Sequence, residues 1–354
     1  MINITKREDL SKQKGIIIRI AAIILSILFT GIFINLLGYN SIDVFYNMVT
    51  GALGSEMRLQ KTIVKAIPIA VASLGILVAF KMKFWNIGGE GQIMMGAMAA
   101  TFVALNLDGF PRALTLVLMM LAAFFFGAVW AFIPAFFKVK CGTNETIFTL
   151  MMNYIAIKWI TYLQFGPWKD PNAGGFPKIA TYPDNAVLPE VFGINIGWII
   201  TIIAAVIVYI FMNHTKKGYE ISVVGESLAT AKYAGMNVKM VIITAMLVSG
   251  GLCGLTGMIM SSSIEKTLTI YLSNGIGYTA IITAWLSGLS APFAVISSFA
   301  FAVLIQGGKF IQIALQVPAS VADMIQGMIL FFVLGSEFFT RYKISFKGQK
   351  GGEK

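Results

Sequence analysis

GYEISVVGESLATAKYAGMNV, residues 218–238, is a polar stretch in an otherwise apolar chain. It carries its own helix signals. Ser227 has a side chain that accepts the first free amide hydrogens of a helix, Leu228 to Ala234 are helix-compatible, and Gly235 can end the turn. These residues predict a short helix outside a bilayer. Ala229, Ala231, Ala234 and Gly235 are small enough for another protein surface to approach closely, while Glu220, Glu226, Lys232 and Lys239 keep the segment hydrated. That is the make-up of a docking element, although a loop between two spans that folds only to pair its own backbone would carry the same signals.

The surrounding chain explains why such a segment stands out. Of 354 residues, 57% are hydrophobic and 12% charged, and the mean hydropathy is +0.79. A soluble domain carries about 25% charged residues, so this composition indicates an all-α, polytopic membrane helix bundle. A span needs about 20 apolar residues, which leaves room for about ten spans in one membrane domain, residues 1–354. The net charge of +11 reflects basic residues scattered at span ends. No basic stripe interleaved with aromatics is present, so nucleic acid is not an expected partner. Cys141 and Cys253 form no CxxC, and the single His214 has no companion, so the sequence predicts no disulfide frame, no zinc site and no metal.

In chain order, the run 16–37 is too long for a signal peptide and reads as an uncleaved first span. A polar stretch, 38–61, precedes a second span at 62–80. Pro68 should disturb that helix, and freed backbone groups are tolerated only against protein or water, so this span should face the bundle interior. After the polar block 86–92 come a third apolar run to Leu107, a fourth to Phe137 and a fifth at 147–163. A long loop, 166–196, follows, flanked by Trp159, Trp168 and Trp198 as interface anchors. Span six is 197–213; span seven, 241–260, carries Gly250 and Gly254 in a GxxxG spacing that favours close helix packing. Shorter runs at 276–289 and 292–307 would be eight and nine, and 323–339 ten. Lys and Arg concentrate on one side of this topology, which places both termini and the segment 214–240 in the cytoplasm. Two polar, Gly-rich breaks, at Asn86 (IGGEGQ) and Asn274 (GIGYTA), lie five spans apart, as in an inverted repeat with its path at the repeat interface.

Ionisable or amide side chains in or beside spans are candidates for a path or gate: Asn86, Glu90, Gln92, Asn144, Glu145, Asn153 and Asn274. Glu90 and Glu145 each open a helix, where a carboxylate also serves as a simple first-turn acid with Thr143 or Asn144 as cap. Asn153, inside span five, should bond another helix or face a cavity. The chain has no G-x-x-x-x-G-K-[ST] and no Ser-His-Asp constellation, so it is expected to be neither an ATPase nor another enzyme.

GYEISVVGESLATAKYAGMNVKMVIITAMLVSGGLCGLTG, starting at Gly218, resembles the cytoplasmic coupling loop of bacterial ABC importer permeases of the ribose and branched-chain amino acid type. FWNIGGEGQIMMGAMAA (84–100) and GTNETIFTLMMNYIA (142–156) resemble the nucleoside branch, whose permeases work with basic-membrane-protein lipoproteins. The resemblance implies an inverted repeat and a multi-pass permease in the bacterial cytoplasmic membrane. It also implies docking of ABC ATPase subunits at 222–235, with Gly225, Glu226, Ser227, Ala231 and Gly235 in the coupling role. ATP and Mg would be used by that partner, and no cofactor would be bound by this chain. A second permease subunit, homologous or identical, and an extracellular substrate-binding lipoprotein complete the expected assembly among membrane lipids. A sugar or amino acid is the alternative substrate, and an ion-coupled secondary transporter is the rival class; the latter would place a carboxylate near mid-span.

Overall fold

The computed structural model describes residues 2–6 and 12–346; Arg7 and the tail 347–354, with Lys347, Lys350 and Lys354, lie outside them. Thirteen α-helices account for most of the described residues. The chain divides into two compact units, Gln60–Ala302 and a second made of Met1–Leu59 with Val303–Lys354.

The terminal unit contains α1 (Lys12–Leu36), α2 (Ser41–Leu53) and α13 (Ala319–Arg341), with a short antiparallel pair of β1 (Ile2–Lys6) and β4 (Tyr342–Phe346). Helix α2 lies in what the sequence marks as a polar connection. Its Val44, Met48, Gly51 and Ala52 fall on one buried stripe, and the Asn40 side chain caps it by accepting from Ile42 N–H at 3.0 Å. The chain bends by 117° between α1 and α2. Ile34, Val44, Met48, Ile311, Val317, Ala322 and Ile325 form this unit's core.

The larger unit is built around α3 (Glu56–Lys81), most of which lies within it. Every residue from Ala66 to Phe80 is buried, so α3 does face the interior, and it runs on through Pro68 without ending there. Around it stand α4 (Gly89–Asn106), α5 (Arg112–Cys141), α6 (Glu145–Phe165), α7 (Gly197–His214), α10 (Val238–Ile259) and α11 (Ile276–Leu286). Helix α12 (Ala291–Ala314) begins in this unit, and it continues through Gly307 and Gly308, where the sequence reading ends the ninth span. Between α7 and α10 lie α8 (Lys216–Glu226) and α9 (Leu228–Tyr233).

Glycine sets the closest approaches. A Cβ on Gly254 would come within 2.1 Å of the Ala123 carbonyl, and one on Gly257 within 2.0 Å of that of Ile93. The GxxxG face of α10 thus meets α5 and α4 backbone to backbone. At the end of the bundle remote from α9, α10 passes into a π-helical turn, Met260–Glu265. The segment 166–196, which includes the hairpin of β2 (Glu190–Val191) and β3 (Ile194–Asn195), is strapped to that turn. Ser262 Oγ donates to the Ala186 carbonyl at 2.5 Å, and Leu188 N–H donates to the Ser262 carbonyl at 3.1 Å. Tyr182 shares a 2.5 Å hydrogen bond with Thr101 of α4; burial pushes its phenol up to about 12, so it stays neutral.

Among the described residues, six helices are long and apolar enough to cross a membrane: α3, α5, α7, α10 with its π-turn, α12 and α13. The bent α1–α2 pair makes a seventh when taken as one span. The other segments read as spans in the sequence are helical but differ in kind: α4 opens on GEGQ, α6 contains Glu145, Asn153 and Lys158, and α11 has 11 residues.

Replacing Gly254 with Val should abolish monodisperse protein in detergent, because no side-chain rotation relieves a clash with backbone. Gly327→Ala, on α13 with nothing within 4 Å, should leave yield and melting temperature unchanged. Size-exclusion profiles of the two variants check both outcomes.

Candidate functional site

Two places in the larger unit concentrate polar chemistry. The first lies where two helices begin inside the bundle. The chain leaves α3 and re-enters as α4 beside Ser249, midway along α10, and α11 begins against the same point. Helix N-termini expose amide hydrogens that no residue of their own helix can accept. Water is absent at membrane depth, so other parts of the protein must accept them.

They do so across helices. The Glu90 Oε1 of α4 accepts from Gly277 N–H of α11 at 2.9 Å, with the Ser273 hydroxyl and Tyr278 amide also directed at the carboxyl group. The Asn153 side chain of α6 accepts from Gly91 N–H of α4 at 2.8 Å and donates to the Ile87 carbonyl at 2.9 Å. Asn86 and Gln92 pair amide to amide at 3.0 and 3.2 Å, and Asn86 Nδ2 also donates to Ser249 Oγ at 3.1 Å. Glycine permits the approach, since a Cβ on Gly277 would sit 2.5 Å from Glu90 N. Asn86, Glu90, Gln92 and Asn153, nominated singly by the sequence, are therefore one buried cluster. The two breaks at Asn86 and Asn274 meet in it. Ser249 escaped sequence reading because a serine in a glycine-rich span gives no signal of its own.

Asn144 and Glu145 lie elsewhere. Asn144 caps α6 by accepting from Thr146 and Ile147 N–H, and Glu145 pairs with Lys138 at 2.7 Å. Asn274 is exposed, with φ +39.

The second place is the end carrying α8 and α9. Ser227 caps α9, its side chain accepting from Thr230 N–H at 3.2 Å, and Gly235 follows with φ +71, as the sequence predicts. Of α9, Ala231 alone is buried; Leu228, Ala229, Thr230, Lys232 and Tyr233 face outward, Tyr233 at 96% exposure. The sequence predicts α9 but not α8, which Gly218 and Gly225 do not interrupt. Both instead allow contact: a Cβ on Gly225 would meet the Lys81 carbonyl at 2.0 Å, and one on Gly218 the Phe211 carbonyl at 2.2 Å. Gly225 and Glu226 join Lys83, Lys138 and Glu145 around a cavity of about 320 Å³. The α8–α9 hook is thus seated on the last turn of α3, while Asn237 caps α10 directly after it.

Asn153→Ala strands Gly91 N–H and the Ile87 carbonyl. It should lower stability by about 1–3 kcal/mol, the cost of unpaired buried polar groups. A fall of several degrees in the melting temperature of purified protein is the expected result; an unchanged value would show that this cap carries no energy.

The chain matches the model of the branched-chain amino acid transport system / permease component family over residues 58–334. It is 32% identical to a glucose ABC transporter permease protein of Haloferax volcanii over 91% of this chain and 88% of that protein. It is 29% identical to the guanosine ABC transporter permease protein NupP of Bacillus subtilis, covering 91% of this chain and 93% of that one. Identity is also 29% to the nucleoside ABC transporter permease protein NupB of Lactococcus lactis, over 91% and 92% of the two chains. With a match across most of its length, broken helices meeting inside an apolar bundle and an outward-facing hook at one end, the chain belongs to the branched-chain amino acid transport system permease family.

Proposed function

We propose that this chain is the membrane-spanning subunit of an ATP-driven importer of nucleosides in the bacterial cytoplasmic membrane. The observation that carries the reading is α9: a capped helix with a single buried residue, held between α8 on the end of α3 and the start of α10. A helix built for its own sake would bury a face; this one presents it. ABC ATPase subunits using ATP and Mg dock there, with Gly225, Glu226, Ser227, Ala231 and Gly235 transmitting their motion into α3 and α10.

In this reading residues 1–354 form one transmembrane domain that crosses the membrane ten times in an inverted repeat, with both termini cytoplasmic and 214–240 as the coupling loop. The basic residues flanking the coupling segment support that orientation. Asn86, Glu90, Gln92 and Asn153 form the gate's clasp, Asn144 and Glu145 its cytoplasmic rim, and Asn274 its outer approach. A second permease, homologous or identical, completes the path, and a substrate-binding lipoprotein delivers to the 166–196 side.

The nucleoside assignment follows the guanosine and nucleoside permeases among its relatives. The glucose permease, at 32% identity, favours a sugar as the second reading.

Uptake of labelled guanosine and uridine by cells should require the chain, survive an ionophore and stop on ATP depletion. Loss with the ionophore at normal ATP would overturn the ATP-driven reading; uptake of glucose with no uptake of either nucleoside would replace the substrate. Gly225→Val, which lifts α8 off Lys81, should cut uptake at least tenfold while the chain still inserts in the membrane.

A further inference from the structure

The segment between the π-turn and α11 takes an unusual course. At its start Ile270 N–H donates to Gln164 Oε1, near the end of α6, and at its end Gly277 meets Glu90, one hydrogen-bonded step from Gly91 and Asn153 of the same α6. Gln164 and Asn153 are 11 residues apart on a helix, about 16 Å along its axis at 1.5 Å per residue. Residues 270–275 cover that descent in turns and bends before α11 begins, so this is irregular backbone within the depth of the bundle. Such backbone persists at membrane depth only where it is covered by protein or borders water.

One side of the segment is covered: Leu268, Leu272, Ser273 and Gly277 are buried against the core. The other side is open. Tyr271 is 77% exposed, Tyr278 43%, and Asn274 between them is exposed as well. An amide and two phenols turned toward hydrocarbon would forfeit their hydrogen bonds at a cost of several kcal/mol. A polar passage on that side would let all three keep their hydrogen bonds.

Resting on the nucleoside reading above, we propose that Tyr271, Asn274 and Tyr278 form one wall of the translocation path and that the two tyrosines offer stacking faces to the planar base of the substrate. The chemistry fits a nucleoside on both counts. Aromatic faces take any base without selecting its sequence of donors and acceptors, and the Asn274 amide supplies both a donor and an acceptor for a base edge or ribose hydroxyl. The wall ends on the Glu90–Gly277 contact, so a substrate moving along it arrives at the junction of the two broken helices.

The test uses the assembled transporter in cells, with Cys141→Ser removing the exposed native thiol; Cys253 is buried. Tyr271→Cys, Asn274→Cys and Tyr278→Cys are each treated with a membrane-impermeant thiol reagent, with and without guanosine. Labelling of all three from water, slowed severalfold by guanosine and not by glucose, is the expected result. In parallel, Tyr271→Ala and Tyr278→Ala should raise the KM for guanosine uptake about tenfold at unchanged membrane content, in keeping with base stacking on an aromatic side chain, and Tyr→Phe should restore it. Failure of Tyr271→Cys and Asn274→Cys to label would overturn the wall, since the segment would then be covered by lipid or another chain. Labelling that glucose slows and guanosine does not would keep a water-lined wall, overturn the base-stacking role and with it the nucleoside reading. Labelling slowed by guanosine with an unchanged KM in both alanine variants would leave the nucleoside reading standing and overturn the stacking assignment alone.

Discussion

A helix that begins inside an apolar bundle presents unpaired amide hydrogens that its own residues cannot take, and this protein begins two there. The solution is capping in trans, passed from one helix to the next. Glu90, in the first turn of α4, accepts from the first turn of α11; Asn153, from the middle of α6, accepts from the first turn of α4. Each accepting group is held by the helix it belongs to, so α4, α6 and α11 fix one another. The N-terminal ends of α4 and α11 thus face one carboxyl group, that of Glu90. Asn86, Gln92 and Ser249 then tie this junction to the middle of α10.

The consequence for movement follows from the packing. Helix α10 is joined to α4 and α5 through glycine contacts close enough that backbone touches backbone, and such interfaces deform little. At one end α10 follows directly from the α8–α9 hook; at the other its π-turn holds the segment 166–196 through Ser262. A push on the hook therefore reaches both the helix junction and the strapped segment through one stiff rod. The proposed coupling needs no flexible relay, only a displacement of α10 and α3 relative to their neighbours.

Much of this was legible in the sequence, and the rest was hidden for identifiable reasons. Hydropathy locates the six long apolar helices, and the bent α1–α2 pair in part, because burial or lipid contact imposes long apolar runs. Ser227 and Gly235 predict the ends of α9 because capping chemistry is local. Gly307, at the end of the ninth run, misled, since a glycine that permits helix contact is indistinguishable in one sequence from a glycine that ends a helix. Helix α2 was masked by Asp43 and Asn47 on its open face. For the site, the residue types of the cluster were evident: amides and a carboxylate near spans must find partners. Which partners they find depends on pairs as far apart as Glu90 and Gly277, a relation that only the fold supplies. Asn144 and Glu145 share the composition of the cluster but answer the local needs of one helix end.

The central claim is that the inward-lying ends of α4 and α11 are capped by side chains of neighbouring helices in the absence of water. Residue-resolved hydrogen exchange of the protein in lipid nanodiscs tests it most directly. The amides of Gly91 and Gly277 should exchange as slowly as those at the centre of α10, and Gly277 should be released in Glu90→Ala while Gly91 stays slow. Exchange at Gly91 and Gly277 as fast as in the exposed stretch around Gly174 and Gly175 would contradict the account, because the helix ends would then be paired with water.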